Sequence, residues 1–109
     1  IHHNRITGNS TALALRVACR PVKWTLENIE VYNNVIEQAG GNASHDRSKA
    51  VWFWVSKDSA TCNAESREAT FTKPTIRFYD NRYTLTEGAT FYYQDRAIGL
   101  DAWNAAGYR

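Results

Sequence analysis

Residues 29–36 read IEVYNNVI: a short alternating run, two asparagines, and the start of a second run. Ile29 and Val31 alternate with Glu30 and Tyr32, the period of a half-buried strand. Val35 and Ile36 resume the apolar run. The pattern recurs at residues 1–6, IHHNRI, and at residues 76–83, IRFYDNRY. Superposition brings Asn4, Asn34 and Asn81 into one register, at intervals of 30 and 47 residues. Unequal intervals suit a coil whose rungs are constant and whose loops vary. Asparagine suits the left-handed backbone of a sharp corner. Stacked amides can also donate to the next and accept from the last, which satisfies an inward polar group. Asn4, Asn34 and Asn81 are therefore expected to form a ladder at the corners of the coil.

A second element also recurs. After each asparagine rung comes a polar break and then an alternating run: ALALRV at 12–17, AVWFWV at 50–55 and GATFYY at 88–93. Aligned end to end, Leu13, Val51 and Ala89 share one face with Leu15, Phe53 and Phe91 and with Val17, Val55 and Tyr93. The opposite face carries Ala14, Trp52 and Thr90, then Arg16, Trp54 and Tyr92. A one-residue slip would reverse these faces. The inward columns of the other two runs favour the stated register.

This arrangement resembles the right-handed parallel β-helix superfamily of pectate lyases, related polysaccharide lyases and glycosidases, and phage tailspikes. The resemblance is carried by IHHNRI, NIEVYNNVI and TIRFYDNRY. The tail at 100–108, LDAWNAAGY, is similar to an LxxWxxAGY stretch that closes some bacterial β-helix domains. The resemblance implies an all-β fold with about three rungs over residues 1–100 and a capping segment at 101–109. Asp101 is expected to cap a short helix there, with Leu100, Trp103 and Tyr108 over the end of the coil. The same architecture hosts several chemistries and some non-enzymes, so it speaks to fold more than to reaction.

Composition sets the bounds. The chain has 109 residues, enough for one small domain, with four Trp, six Tyr and a net charge of +2. That charge, with no basic run, gives no argument for nucleic acid. No apolar run approaches a membrane span, and no signal peptide is visible. Methionine is absent and the chain starts inside a rung, which reads as a processed chain or part of a longer one. Three rungs are the least a stacked fold needs. The first rung is expected to be covered by the remainder of a longer β-helix or by a second copy. Cys19 and Cys62 leave equivalent corners of neighbouring rungs, so a disulfide and two free thiols both stand open. A bridge would point to an oxidising compartment.

In the enzymes this chain resembles, substrate lies over the sheet that follows the asparagine corner and the next turn. The matching outward residues here are Arg16, Trp52, Trp54 and Tyr92. Aromatic rings stack on the apolar faces of sugars, and Arg forks onto carboxylates, which suits an acidic polysaccharide. A covering loop over the same rings is the equal alternative. A lyase would need a base and a cation, and a glycosidase two facing carboxylates. His45, Asp46, Lys57 and Asp95 are the weak candidates, against the ordinary reading of solvated loop charges. His2 and His3 are adjacent on a strand and are expected to point to opposite faces, so no metal is assigned. No cofactor is implied.

The sequence thus reads as an extracellular or cell-surface β-helix segment that binds or processes polysaccharide. Whether it is an enzyme is left open. A non-catalytic structural or adhesive β-helix segment is the runner-up. An antiparallel lectin sandwich is a third reading, which has no use for an asparagine column.

Overall fold

A computed structural model describes residues 1–7, 11–17, 27–40, 49–55, 71 and 76–109. Among the described residues, nine strands carry the fold. They are β1 (Arg5–Thr7), β2 (Thr11–Val17), β3 (Ile29–Tyr32), β4 (Val35–Ala39), β5 (Lys49–Val55), β6 (Ile76–Tyr79), β7 (Arg82–Thr86), β8 (Thr90–Tyr93) and β9 (Arg96–Ile98). A short helix, α1 (Leu100–Ala105), follows β9. The chain is all-β in class, with three sheets ordered β1-β4-β7, β2-β5-β8-β9 and β3-β6. Strands β1 to β5 each pair in parallel with the strand three places on. Parallel neighbours cannot be joined by a tight hairpin, so from β1 to β8 strands consecutive in sequence lie in different sheets.

The asparagine register is real. Arg5 lies opposite Val35, and Val35 opposite Arg82. Asn34 Oδ1 accepts the backbone N–H and the side-chain amide of Asn4, both at 3.1 Å. Asn81 Oδ1 accepts the same two groups from Asn34, at 3.1 and 3.0 Å. Asn34 Nδ2 also donates to the Ile1 carbonyl at 3.1 Å. Asn34 is 1% exposed, yet its side chain uses both acceptor sites and both donors. A buried amide is tolerated only when so satisfied.

The corner differs from expectation in one respect. The left-handed residue is the one before each asparagine: His3, Asn33 and Asp80, at φ 57°, 53° and 54°. The asparagines keep ordinary backbone and spend their side chains on the ladder. Asp, Asn and His are the non-glycine residues that tolerate this region best.

Inward side chains meet in one core of Val31, Ile36, Val51, Phe53, Phe78, Phe91 and Trp103. Leu13 opposes Val51 and Leu15 opposes Phe53, as the alternation predicts. The third run does not follow the end-to-end alignment. Trp52 opposes Tyr92 and Phe53 opposes Tyr93, with an irregularity after Lys49 opposite Thr90. Relative to the expected pairing the strand has slid by two. A slip of two keeps every side chain on its face, so alternation alone cannot choose between the registers. Packing chooses: Phe91 stacks on Trp103, with centroids 4.6 Å apart. The buried Lys49 ammonium donates to Thr90 Oγ1 at 2.9 Å beside the irregularity.

Strand β9 is absent from the sequence reading. It returns antiparallel on β8, with Tyr93 opposite Arg96, through a two-residue turn in which Gln94 and Asp95 both have positive φ. That is the backbone of a type I′ turn, usually announced by Asn-Gly. Gln-Asp gives no such signal.

Helix α1 places Trp103, fully buried, against Phe78, Phe91 and Tyr108. Its N-cap is Gly99 with no side-chain cap, so Asp101 contributes only its charge in the first turn. The helix ends on Gly107 at φ 95°, with the Tyr108 N–H bonded to the Trp103 carbonyl and the Gly107 N–H to that of Asn104. This is a Schellman ending, completed by ring contact between Tyr108 and Trp103 at 4.7 Å. Arg109 then donates to the Phe78 carbonyl, and its own carbonyl accepts from Asn81 Nδ2 at 2.9 Å, closing the last rung of the ladder. Gly40 is required by a close approach, because a Cβ there would run into the Glu87 carbonyl.

Two outcomes follow from this packing. Asn34→Ala removes the ladder's central member and leaves its partners unsatisfied, at a cost of about 2–4 kcal/mol. Asn4→Ala at the exposed end costs under about 1 kcal/mol. Urea midpoints of the two variants check the ranking. The second outcome concerns alkaline pH. Burial raises the Tyr83 phenol from 10.0 to about 12, and burial with the neighbouring Tyr93 phenol raises Tyr108 further. Trp103 and Asn81 lie near Tyr83 and oppose its shift in part, but its buried hydroxyl makes no hydrogen bond. Both phenols hold their protons more tightly folded than unfolded. Stability is therefore full below pH about 10 and falls as pH rises toward about 12 and beyond. Urea midpoints at pH 9 and 11.5, with phenolate absorbance, measure it.

Candidate functional site

The outward face of β2, β5 and β8 gathers the predicted aromatic residues. Alternation sends Ala14 and Arg16 of β2, Trp52 and Trp54 of β5, and Tyr92 of β8 to the side away from the core. Arg16 lies opposite Trp54, and Trp52 lies between Ala14 and Tyr92. The guanidinium of Arg16 stands 5.7 Å from the Trp52 ring and 5.2 Å from the Trp54 ring. The two indoles are tilted by 44° with centroids 6.2 Å apart, and Tyr92 meets Trp52 edge-on at 5.8 Å. Arg16 is exposed, while Trp52, Trp54 and Tyr92 are half-buried. All four residues therefore share one patch.

Its chemistry follows from these contacts. The indoles are not stacked on one another, so their faces are not consumed by mutual contact. Arg16 holds a permanent charge at cation–π distance from both. Trp52 Nε1 is buried and has no hydrogen-bond partner. On the far side Ala97 of β9 lies opposite Tyr92 and continues the face with a small side chain.

Asp95 is in the β8–β9 turn, half-buried. His45, Asp46 and Lys57 lie outside the described residues, as do Cys19 and Cys62. Among the described residues, no group of three or more His, Cys, Asp or Glu is placed to hold a metal ion. No helix among them is long and apolar enough to cross a membrane.

A second aromatic group was missed in the sequence. His2, Tyr32 and Tyr79 stack in a column on the outer side of β3 and β6, with successive centroids 4.9 and 5.0 Å apart and the tyrosines tilted by only 1°. Arg77 lies 6.0 Å from the Tyr79 ring and is ion-paired to Glu30, which also accepts the Tyr79 hydroxyl at 3.0 Å. The signal was available, since each ring sits two residues before a ladder asparagine. Here the faces are spent on one another, which makes the column a brace. On the third sheet, Thr7, Glu37, Gln38, Ala39, Thr84 and Thr86 line an open cleft of about 330 Å³ that has no aromatic wall.

The His2–His3 pair needs a correction. His3 is not in a strand, and its φ of 57° rotates the ring back toward His2. The two rings meet edge to face at 4.9 Å, with their Nδ1 atoms 2.7 Å apart. The expectation of opposite faces fails because alternation holds only for extended residues.

Replacing Trp52 with Phe deletes the unpartnered N–H and keeps the ring. Stability should change by less than about 1 kcal/mol, because no hydrogen bond is lost. A larger loss in chemical unfolding would reveal a structural partner for that nitrogen.

Comparison of the chain with family models, with curated proteins and with solved structures finds no match.

Proposed function

We propose that this chain is a segment of a right-handed parallel β-helix, of the kind found in pectate lyases and their relatives, and that it binds an acidic polysaccharide on the outer face of β2, β5 and β8. The coil reading is supported by the pairing of β1 to β5 each with the strand three places on and by the continuous asparagine ladder. The binding reading is carried by one observation: the Arg16 guanidinium lies over both Trp52 and Trp54 on an outward sheet face. A uronate presents an apolar ring face and a carboxylate together. Indole faces take the first and a guanidinium takes the second. Polymers of this kind lie outside the cell, so the protein is extracellular or displayed at the surface. Cleavage would need a base or a carboxylate pair beyond this patch.

The structural or adhesive alternative has its own support. Among the described residues, β1 and β2 are each paired on one side only. Open edges of that kind accept further strands.

Titration with polygalacturonate, followed by tryptophan emission, tests the proposal. A saturable change is expected, with no change on adding neutral dextran. Trp54→Ala and Arg16→Gln should each weaken binding about tenfold, which is about 1.4 kcal/mol, with an unchanged circular dichroism spectrum. A parent chain silent to acidic and neutral glycans alike, whose Trp52→Ala and Trp54→Ala variants lose self-association, would overturn the binding reading for the adhesive one.

A further inference from the structure

The geometry points to a two-histidine site for a borderline transition-metal ion at the first corner of the coil. Its donors are His2 Nδ1 and His3 Nδ1. It stands on a different face from the aromatic patch and does not depend on the polysaccharide reading.

The corner creates the site. At the equivalent positions of the next two rungs stand Tyr32 with Asn33, and Tyr79 with Asp80. Only the first rung carries imidazoles at both. The left-handed residue in each corner turns its side chain out of strand alternation, and at His3 it turns toward His2. His2 is held in turn. Its ring stacks on Tyr32 at 4.9 Å with a 20° tilt, and its carbonyl accepts from Asn4 Nδ2 at 2.9 Å. Tyr32 also meets the His3 ring edge-on at 6.1 Å, so one phenol ring braces both imidazoles.

The Nδ1 atoms stand 2.7 Å apart, the spacing of an N–H···N hydrogen bond in which one ring donates to the other. An ion about 2.0–2.1 Å from each nitrogen spreads such a pair to roughly 2.9–3.3 Å. The rings need to open by a few tenths of an ångström as the ion replaces the bridging proton. Both histidines are exposed, so water can fill the remaining positions. Two neutral imidazoles without a carboxylate favour copper, nickel or zinc over magnesium or calcium, whose ligands are oxygen. The ion would tie the first corner to the ring column and, through Asn4, to the ladder.

Calorimetric titration of the whole chain with zinc chloride, and with copper sulfate by electron paramagnetic resonance, tests the inference. One ion per chain is expected at neutral pH, with coupling to two imidazole nitrogens in the copper spectrum and no heat on adding magnesium. His2→Asn and His3→Asn should each weaken binding at least tenfold while the apo chain keeps its circular dichroism spectrum. Absence of zinc or copper binding below millimolar concentration would overturn the inference and leave the pair as a hydrogen bond. Binding that survives His2→Asn but not His3→Asn would overturn it too, by placing the ion on His3 and the amino terminus. Binding that survives both variants would place it elsewhere in the chain.

Discussion

The amide–amide hydrogen bond from one asparagine to the next is the interaction on which the rest of this structure depends. Asn34 sits at the corner between the β3–β6 sheet and the β1–β4–β7 sheet. Its oxygen receives two donors from the rung above, and its own two donors reach the Asn81 oxygen below. A slip of either sheet would leave a buried amide unsatisfied, which costs far more than one ordinary hydrogen bond is worth. The ladder thus couples the registers of two sheets that share no backbone hydrogen bonds. Its last member reaches the Arg109 carbonyl, so the C-terminal tail is tied to the same column.

Around that column the aromatic residues divide by what their faces do. Inside, Phe53, Phe78, Phe91, Trp103 and Tyr108 contact one another in a cluster that fills the space between the sheets. On one outer sheet, His2, Tyr32 and Tyr79 stack face to face and so brace the rungs. On another, Trp52 and Trp54 are tilted and Arg16 lies over both. The first arrangement stacks ring on ring, whereas in the second the indoles are not stacked on each other and meet a guanidinium instead. The Arg5–Glu37 pair on the third sheet joins an exposed Arg to a half-buried Glu and adds little stability.

The tail illustrates how a sequence resemblance can have a local cause. In LDAWNAAGY, Trp103 fills the end of the core, Gly107 supplies the left-handed turn, and Tyr108 returns onto Trp103. Each residue has a steric or hydrogen-bonding reason to be where it is in a Schellman ending. The Asp101 cap had no such necessity, and Gly99 occupies that position instead.

Strand positions, face assignments and the asparagine register were legible in the amino-acid sequence, because each follows from a short period. Two-residue alternation separates Trp52 and Trp54 from Phe53, and equivalent corners align Asn4, Asn34 and Asn81. Three features were decided only by the tertiary structure. The two-residue slide that sets Tyr92 beside Trp52 preserves alternation, so only the packing of Phe91 on Trp103 selects it. The β9 hairpin turns on Gln94 and Asp95, whose left-handed backbone their residue types do not announce. The convergence of His2 and His3 comes from a positive φ that the corner imposes. Periodicity records which side of a strand a residue faces. Distance along the strand and the handedness of a single residue are fixed by what packs against them.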